Sequence, residues 1–348
     1  MTPVELSRTV LHAVRRAVDA GELSVAVPAR AVVGPPGPGG AGDYATNIAL
    51  QLARPAGQPA LRVAEVLRTH LAGADGITRV EITGPGFLNI SLDHGTAATG
   101  LVGRIHREGP RYGHGDTLAG QVYELRVPFE VRAEVLADAL ARIVASQGGR
   151  VATRHRDPGD IDKPPKGIGP EPFELRPRPA PEDPTPLGLD AACWALLHPA
   201  PHDCPRITAD HLVQRESNPL FRVRYAHART RALSRNAADL GFSAEPGPVD
   251  PSGNPEPAQL LPLLADYPRV LATVAALPRP EGVAAPSRLA RHLVGVADAT
   301  LLLLPLVLPL GEEKPSAAHR ARLALAEAAG TVLAGGLSLL GIDAPDHL

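Results

Sequence analysis

Between Asp157 and Leu187 stand ten prolines: Pro158, Pro164, Pro165, Pro170, Pro172, Pro177, Pro179, Pro181, Pro184 and Pro186. Proline has no amide hydrogen to donate and fixes its own φ, so a stretch this dense holds neither a helix nor a sheet. It reads as an extended, semi-rigid linker. The chain must therefore build its cores on either side, over 1–156 and 189–348, and its 348 residues leave room for two or three domains.

Before the linker, the pattern is mixed. Val4 to Ala20 keeps Leu6, Val10, Ala13, Val14 and Ala17 on one side, as an amphipathic helix does. Asp43 is placed to cap a short helix buried through Ile48 and Leu52, and a further helix is expected from Pro59 to Leu71. Ile77 to Ile82 alternates as a strand, Gly84-Pro85-Gly86 makes a tight turn, and Phe87 to Leu92 is a second strand. Together these predict an α+β module. Val122 to Val127, Arg132 to Ser146 and Arg150 to His155 then read as strand, helix, strand. After Leu189 only helices are expected: a pair at most over Leu260 to Leu277, interrupted at Pro268, then Pro286 to Leu304 and Ala317 to Leu340. Leu301 to Leu310 is the most apolar run. It is too short to span a bilayer and is broken by Pro305 and Pro309, so it reads as buried core.

The most charged helix is Asn218 to Arg235. Phe221, Tyr225, Ala228 and Ala232 form an apolar stripe at helical spacing, expected to meet a core. Arg224, His227, Arg231 and Arg235 fall opposite it, and Arg222 and Arg229 flank the stripe. The only acids nearby in sequence are Asp210 and Glu216, so the row repels itself unless something compensates it. It is either a solvated face or a surface for phosphate, with Tyr225 available for stacking.

Formal net charge is −2, so contact with nucleic acid has to come from local patches. Cys193 and Cys204 are the only cysteines, which points to a reducing compartment. The first residues lack the basic start and apolar core of a signal peptide, and a cytoplasmic chain without a membrane segment is expected. Cys193, His198, His202 and Cys204 are metal-capable, but their spacing is not that of a zinc finger; a plain surface loop and no metal is the expectation. No Gly-x-Ser-x-Gly elbow and no obvious acid/base pair of carboxylates stands out, and no cofactor is implied.

Several runs resemble arginyl-tRNA synthetases. Asn218, Pro219, Phe221, Val223, Tyr225, Ala226, His227, Ala228 and Arg229 match the opening of that family's anticodon-binding (DALR) domain, although Asp190-Ala191-Ala192-Cys193 stands where Asp-Ala-Leu-Arg would. The close also resembles the family's, through Arg322, Leu323, Leu339 to Ile342, Ala344 and Pro345. Residues 42–53 and 84–92 are similar to two runs of the N-terminal additional domain, which grips the tRNA D-loop. There the resemblance implies that Phe87 stacks on a base and Asn89 reads its edge. On the residues alone, Phe87 as core and Asn89 as a turn cap is the favoured reading, since isolated aromatics usually belong to the core. Residues 135–155 resemble the first helix and second strand of the nucleotide-binding domain. The family's His-x-Gly-His loop, which meets the ATP phosphates, is represented only by Pro128-Phe129-Glu130-Val131, and its Lys-Met-Ser-Lys loop has no counterpart.

The resemblance implies an additional-domain-like module over 1–120, a nucleotide-binding remnant over 121–156, the linker over 157–188 and a helical-bundle anticodon-binding domain over 189–348. It implies a non-catalytic chain that lacks the catalytic domain. This chain would bind tRNA, arginine tRNA foremost, through Phe87 and Asn89 at one end and Arg222, Arg224, Tyr225, His227, Arg229, Arg231 and Arg235 at the other. The alternative is a scaffold that docks an enzyme using arginyl-tRNA, without touching RNA.

Overall fold

The computed structural model describes residues 3–37, 40–92, 94–155, 173–248, 256–276 and 285–348. The chain divides into two compact units, the first running to Leu101 and the second starting at Val102.

In the first unit, α1 (Pro3–Asp19) buries the five apolar residues expected of it, together with Pro3. The sheet runs β1-β2-β4-β3 and is antiparallel throughout, from β1 (Val33–Gly34), β2 (Tyr44–Thr46), β3 (Ile77–Thr83) and β4 (Phe87–Leu92). α2 (Ile48–Ala56) and α3 (Ala60–Ala72) lie between β2 and β3 in the chain. Leu88, Ile90 and Leu92 of β4 join one core with α1, α2 and α3. Strand alternation turns Phe87, Asn89 and Ser91 to the other face. Asp43 does not cap a helix. It precedes β2, where its Oδ2 accepts the amide of Leu92 at 2.8 Å, and α2 begins five residues later, after Asn47. The sheet edge claimed the residues that the capping argument gave to a helix.

The boundary at Leu101 falls within α4 (His94–Glu108), and the second unit goes on to a parallel sheet. β5 (Val122–Val127) pairs with β6 (Arg150–His155) along its whole length, with α5 (Val131–Ser146) as the crossover. The other edge of β5 carries a strand that the linker reading excluded. β7 (Phe173–Glu174) pairs with Leu125 and Arg126, and the amide of Leu175 donates to Arg126 O at 3.0 Å. The proline-free window between Pro172 and Pro177 is long enough for those few ladder bonds. Residues 157–172 of the expected linker lie outside the described residues.

The helices that follow are α6 (Gly188–Leu197), α7 (Pro219–Asp239), α8 (Glu256–Ala275), α9 (Pro286–Leu303) and α10 (Ala317–Leu340). α8 is one helix, not a broken pair, although it contains Pro262 and Pro268. Leu260, Leu264, Tyr267, Leu271 and Val274 recur at helical spacing and are all buried, so packing outweighs the lost backbone bonds. α10 is the central element and packs on α7, α8 and α9. Two of its glycines are required by close approach: a Cβ on Gly330 would overlap Thr230 Oγ1 of α7, and one on Gly336 would overlap Leu293 of α9. Of the apolar run, Leu303, Leu304 and Val307 are buried as expected, whereas Leu302 and Leu310 face solvent. Residues 286–306 and α10 are long and apolar enough to cross a membrane, and 50% and 78% of their most apolar windows is buried inside the protein.

Candidate nucleic-acid interface

α7 starts where its sequence says it should. Asn218 Oδ1 accepts the amides of Leu220 (3.1 Å) and Phe221 (3.4 Å), its Nδ2 donates to His211 O and Val213 O, and Pro219 fills the first helical position. The helix is rotated relative to the expected stripe. Its buried side carries Leu220, Val223, Ala226, His227, Ala228, Thr230, Leu233 and Ala237, so of the expected stripe Ala228 is buried. Phe221 is only half-buried and Tyr225 is 37% exposed, so these aromatics do not enter the core. They stack on each other at 5.4 Å between centroids, and Arg229 lies 6.0 Å over the Tyr225 ring. Phe221, Tyr225 and Arg229 thus make a ridge at i, i+4 and i+8, apolar faces topped by a guanidinium.

The remaining basic residues are not a free row. Arg222 pairs with Asp298 of α9 at 3.1 Å, and Arg224 with Asp190 of α6 at 3.3 Å. Arg231 Nε meets Asp346 Oδ1 at 3.1 Å, and Arg235 reaches Asp346 O and His347 Nδ1, each at 3.4 Å. The compensating acids are distant in sequence, which is why Asp210 and Glu216 were the wrong place to look. The Arg231 hydrogen bond, aided by the field of Arg231, His227 and Arg235, holds Asp346 below the usual carboxylate range. His227 is not on the surface row either. It is 4% exposed and bonds Pro345 O through Nδ1 at 3.1 Å; burial lowers its pKa, and the Pro345 bond opposes that only in part.

In the first unit the structure separates the two expected contacts. Phe87, after the Gly84-Pro85-Gly86 turn, is 40% exposed and is not core. Gly86 sits at φ +132°, where a Cβ would press on Ala60 O. Asn89 is 2% exposed. Its Nδ2 donates to Thr83 Oγ1 at 2.7 Å, and its Oδ1 faces Gly40. Its amide is used inside the fold, so it neither caps a turn nor stands ready beside Phe87.

The crevice at the carboxyl ends of parallel strands is where open α/β sheets bind ligands. Here it is filled from within. Glu130 caps α5, Oε2 accepting Ala133 N at 2.9 Å, while Oε1 accepts Ala180 N at 3.1 Å. A carboxylate of the chain itself therefore occupies the electropositive helix end. Phe129 is exposed and stacks on His155, which pairs with Glu134 at 2.7 Å.

One residue gave no sequence signal at all. Arg132 is fully buried, and its guanidinium donates to the carbonyls of Arg178, Leu196, Pro199, Ala200, Pro201 and Asp203 at 2.7–3.4 Å. Burial lowers its pKa while Glu130, Cys204 and Asp203 oppose the shift. In α6 Cys193 is buried and Trp194 stacks on His198 at the helix end, whereas Cys204 in the following loop is exposed. Among the described residues no three His, Cys, Asp or Glu side chains converge as a metal would require.

Residues 5–92 match the family described as arginyl tRNA synthetase N terminal domain, and residues 223–348 the DALR anticodon binding domain. The arginine–tRNA ligase of Renibacterium salmoninarum is 40% identical over 168 residues, 44% of this chain and 30% of that protein. That of Paenarthrobacter aurescens is 39% identical over 168 residues, again 44% and 30%. The matched part of the chain thus spans under a third of the length of these relatives. The arginyl-tRNA synthetase of Thermus thermophilus superposes with a TM-score of 0.64 at 14% identity over 100% of each chain. The Plasmodium falciparum arginyl-tRNA synthetase gives 0.64 at 8% over 99% of each. These two likenesses establish a shared fold: a multidomain α/β chain with small sheets and a helical C-terminal domain.

Proposed function

We propose that this chain binds tRNA without charging it. The observation that carries the reading is the Phe221–Tyr225–Arg229 ridge on α7, of which Tyr225 and Arg229 lie inside the segment matched to the anticodon-binding domain. Stacked aromatics under a guanidinium suit unpaired bases and the phosphates beside them. Phe87, exposed at a strand start in the other matched domain, is the second stacking point. Arg231 and Arg235 lie on the rim of the ridge and exchange Asp346 for phosphate. Arginine tRNA is the first candidate, from the names of the relatives, and the cytoplasm is the compartment such a partner implies. The non-catalytic part of the reading rests on Pro128-Phe129-Glu130-Val131: no histidine is there, and Glu130 places a negative charge where ATP phosphates would need donors.

The test is a gel shift of total tRNA with the full chain at low and physiological salt, beside ATP–pyrophosphate exchange with arginine. Salt-sensitive retardation without exchange is the expected result. Tyr225→Ala should weaken binding about tenfold, within the range that one base stack is worth. No retardation in dilute buffer overturns the tRNA reading, and arginine-dependent exchange overturns the non-catalytic one.

The scaffold reading keeps one observation in its favour. Leu189, Leu212 and Leu348 are all more than half exposed and rim a groove of about 300 Å³ beside Phe221. A protein that ignores tRNA but retains an arginyl-tRNA-using enzyme on a column would favour it.

A further inference from the structure

Beyond the basic flank of α7 from the aromatic ridge, the second unit contains a cavity of about 700 Å³ between α7, α10 and the turn Gly109–Arg111. Its size is that of a small-ligand site. It exists because α10 presents Gly330, Ala334 and Gly335 there, so the helix backbone forms the floor. Its polar groups are unusual in being unsatisfied at opposite ends. Glu327 is half-buried and takes only the Ser234 hydroxyl, at 2.8 Å; among the described residues no cation pairs with it. Arg111 is exposed at the mouth and has no ion pair among the described residues. Between them, His227 has its tautomer fixed. A carbonyl only accepts, so Nδ1 carries the proton bonded to Pro345 O, and Nε2 is left as an acceptor.

A half-buried carboxylate and an imidazole nitrogen together ask for N–H donors, and the guanidinium at the mouth asks for an anion. We propose that this cavity binds a nucleotide residue whose base carries an exocyclic amine, adenine or cytosine. The amine donates to Glu327, and the phosphate lies at Arg111. An amine donating to a carboxylate is also how acidic side chains select cytosine in grooves. The ligand is either a free mononucleotide or one residue of a bound RNA, and the chemistry of the site is the same for both.

Calorimetric titration of the full chain with AMP, IMP, CMP and UMP tests this. In each pair the second ligand replaces the amine by a carbonyl. AMP or CMP should bind, with IMP or UMP about tenfold weaker. Glu327→Gln should erase that preference, and Ala334→Leu, which fills the floor, should abolish binding. If Ala334→Leu does not fold, Ala334→Val serves, checked by thermal unfolding. Equal binding of AMP and IMP and of CMP and UMP, or no saturation by any of the four at about 10 mM, overturns the site. Tyr225→Ala, which strikes the tRNA ridge, should leave mononucleotide binding unchanged, so failure of one proposal is separable from failure of the other. Glu327→Gln in the tRNA gel shift distinguishes the sources: weakened retardation identifies an RNA residue, unaltered retardation a free nucleotide.

Discussion

His227 and Pro345 are joined by a hydrogen bond of 3.1 Å from imidazole Nδ1 to the carbonyl oxygen, across 118 positions of sequence. It fastens the last residues of the chain along α7, where Arg231 and Arg235 then hold Asp346. The imidazole is buried, and that burial lowers its pKa.

The same condition applies to His198 and His292, whose pKa values are also lowered, chiefly by burial. A histidine with a depressed folded pKa takes up its proton more readily when unfolded. Stability from these sites is therefore present above the unfolded value of about 6.5 and is lost as pH falls below it. Urea unfolding at about pH 7.5 and pH 5.5 should give a lower midpoint at the acid end. His227→Gln should reduce that difference, and an identical difference in the variant would mean that His227 does not contribute.

The arginines of α7 should divide by partner. Arg229→Ala removes a guanidinium with no acid partner among the described residues and should lower the salt slope of tRNA binding by about one. Arg224→Ala leaves Asp190 without its ion pair, with only the amide of Asp343 at 3.3 Å, and should lower the melting temperature while leaving the slope alone. Asp346→Asn should steepen the slope by releasing Arg231 from its ion pair. Slopes that respond equally to Arg224→Ala and Arg229→Ala would contradict this division.

Arg132→Met keeps volume and removes the guanidinium; of its ring of carbonyls, Pro201 O and Ala200 O keep the amides of Arg178 and Asp203, and those of Arg178, Leu196, Pro199 and Asp203 lose the guanidinium donor. The expected loss is at least about 3 kcal/mol, and it should appear as a large fall in the denaturant midpoint. Arg132→Lys should recover only part of it, because an ammonium has three donors and no fork. A midpoint unchanged in Arg132→Met would show that water replaces the ring at no cost.

Gly330→Ala should destabilise by about 1–3 kcal/mol, since its methyl overlaps Thr230 Oγ1. Thr230→Ala in the same chain should relieve most of that. A double variant as unstable as the sum of the singles would place the cost elsewhere than in this contact.

The helices were legible wherever their apolar residues recur against one face, as in α1, α9 and α10. α7 was legible as a helix because Asn218-Pro219 is a local start signal. Its orientation was not, since aromatics were assigned to the core and the small buried residues Ala226, Thr230 and Ala237 carry little pattern. The partners of its arginines, Asp190, Asp298 and Asp346, come from other elements, and nothing local encodes such pairs. β7 escaped because a two-residue strand has no periodicity. α8 was misread because its two prolines weigh heavily locally, while the burial that offsets them is tertiary. Of the candidate contacts, Phe87, Tyr225 and Arg229 stand exposed, whereas Asn89 and His227 are buried for reasons only the fold supplies.

Glu130 serves two masters at once, the first turn of α5 and the amide of Ala180. A neutral histidine at that position has a single acceptor nitrogen and satisfies one of them at most. A histidine in place of Glu130 would therefore leave either the end of α5 or the Ala180 amide without its acceptor, so this loop cannot trade its carboxylate away without loosening the junction it ties.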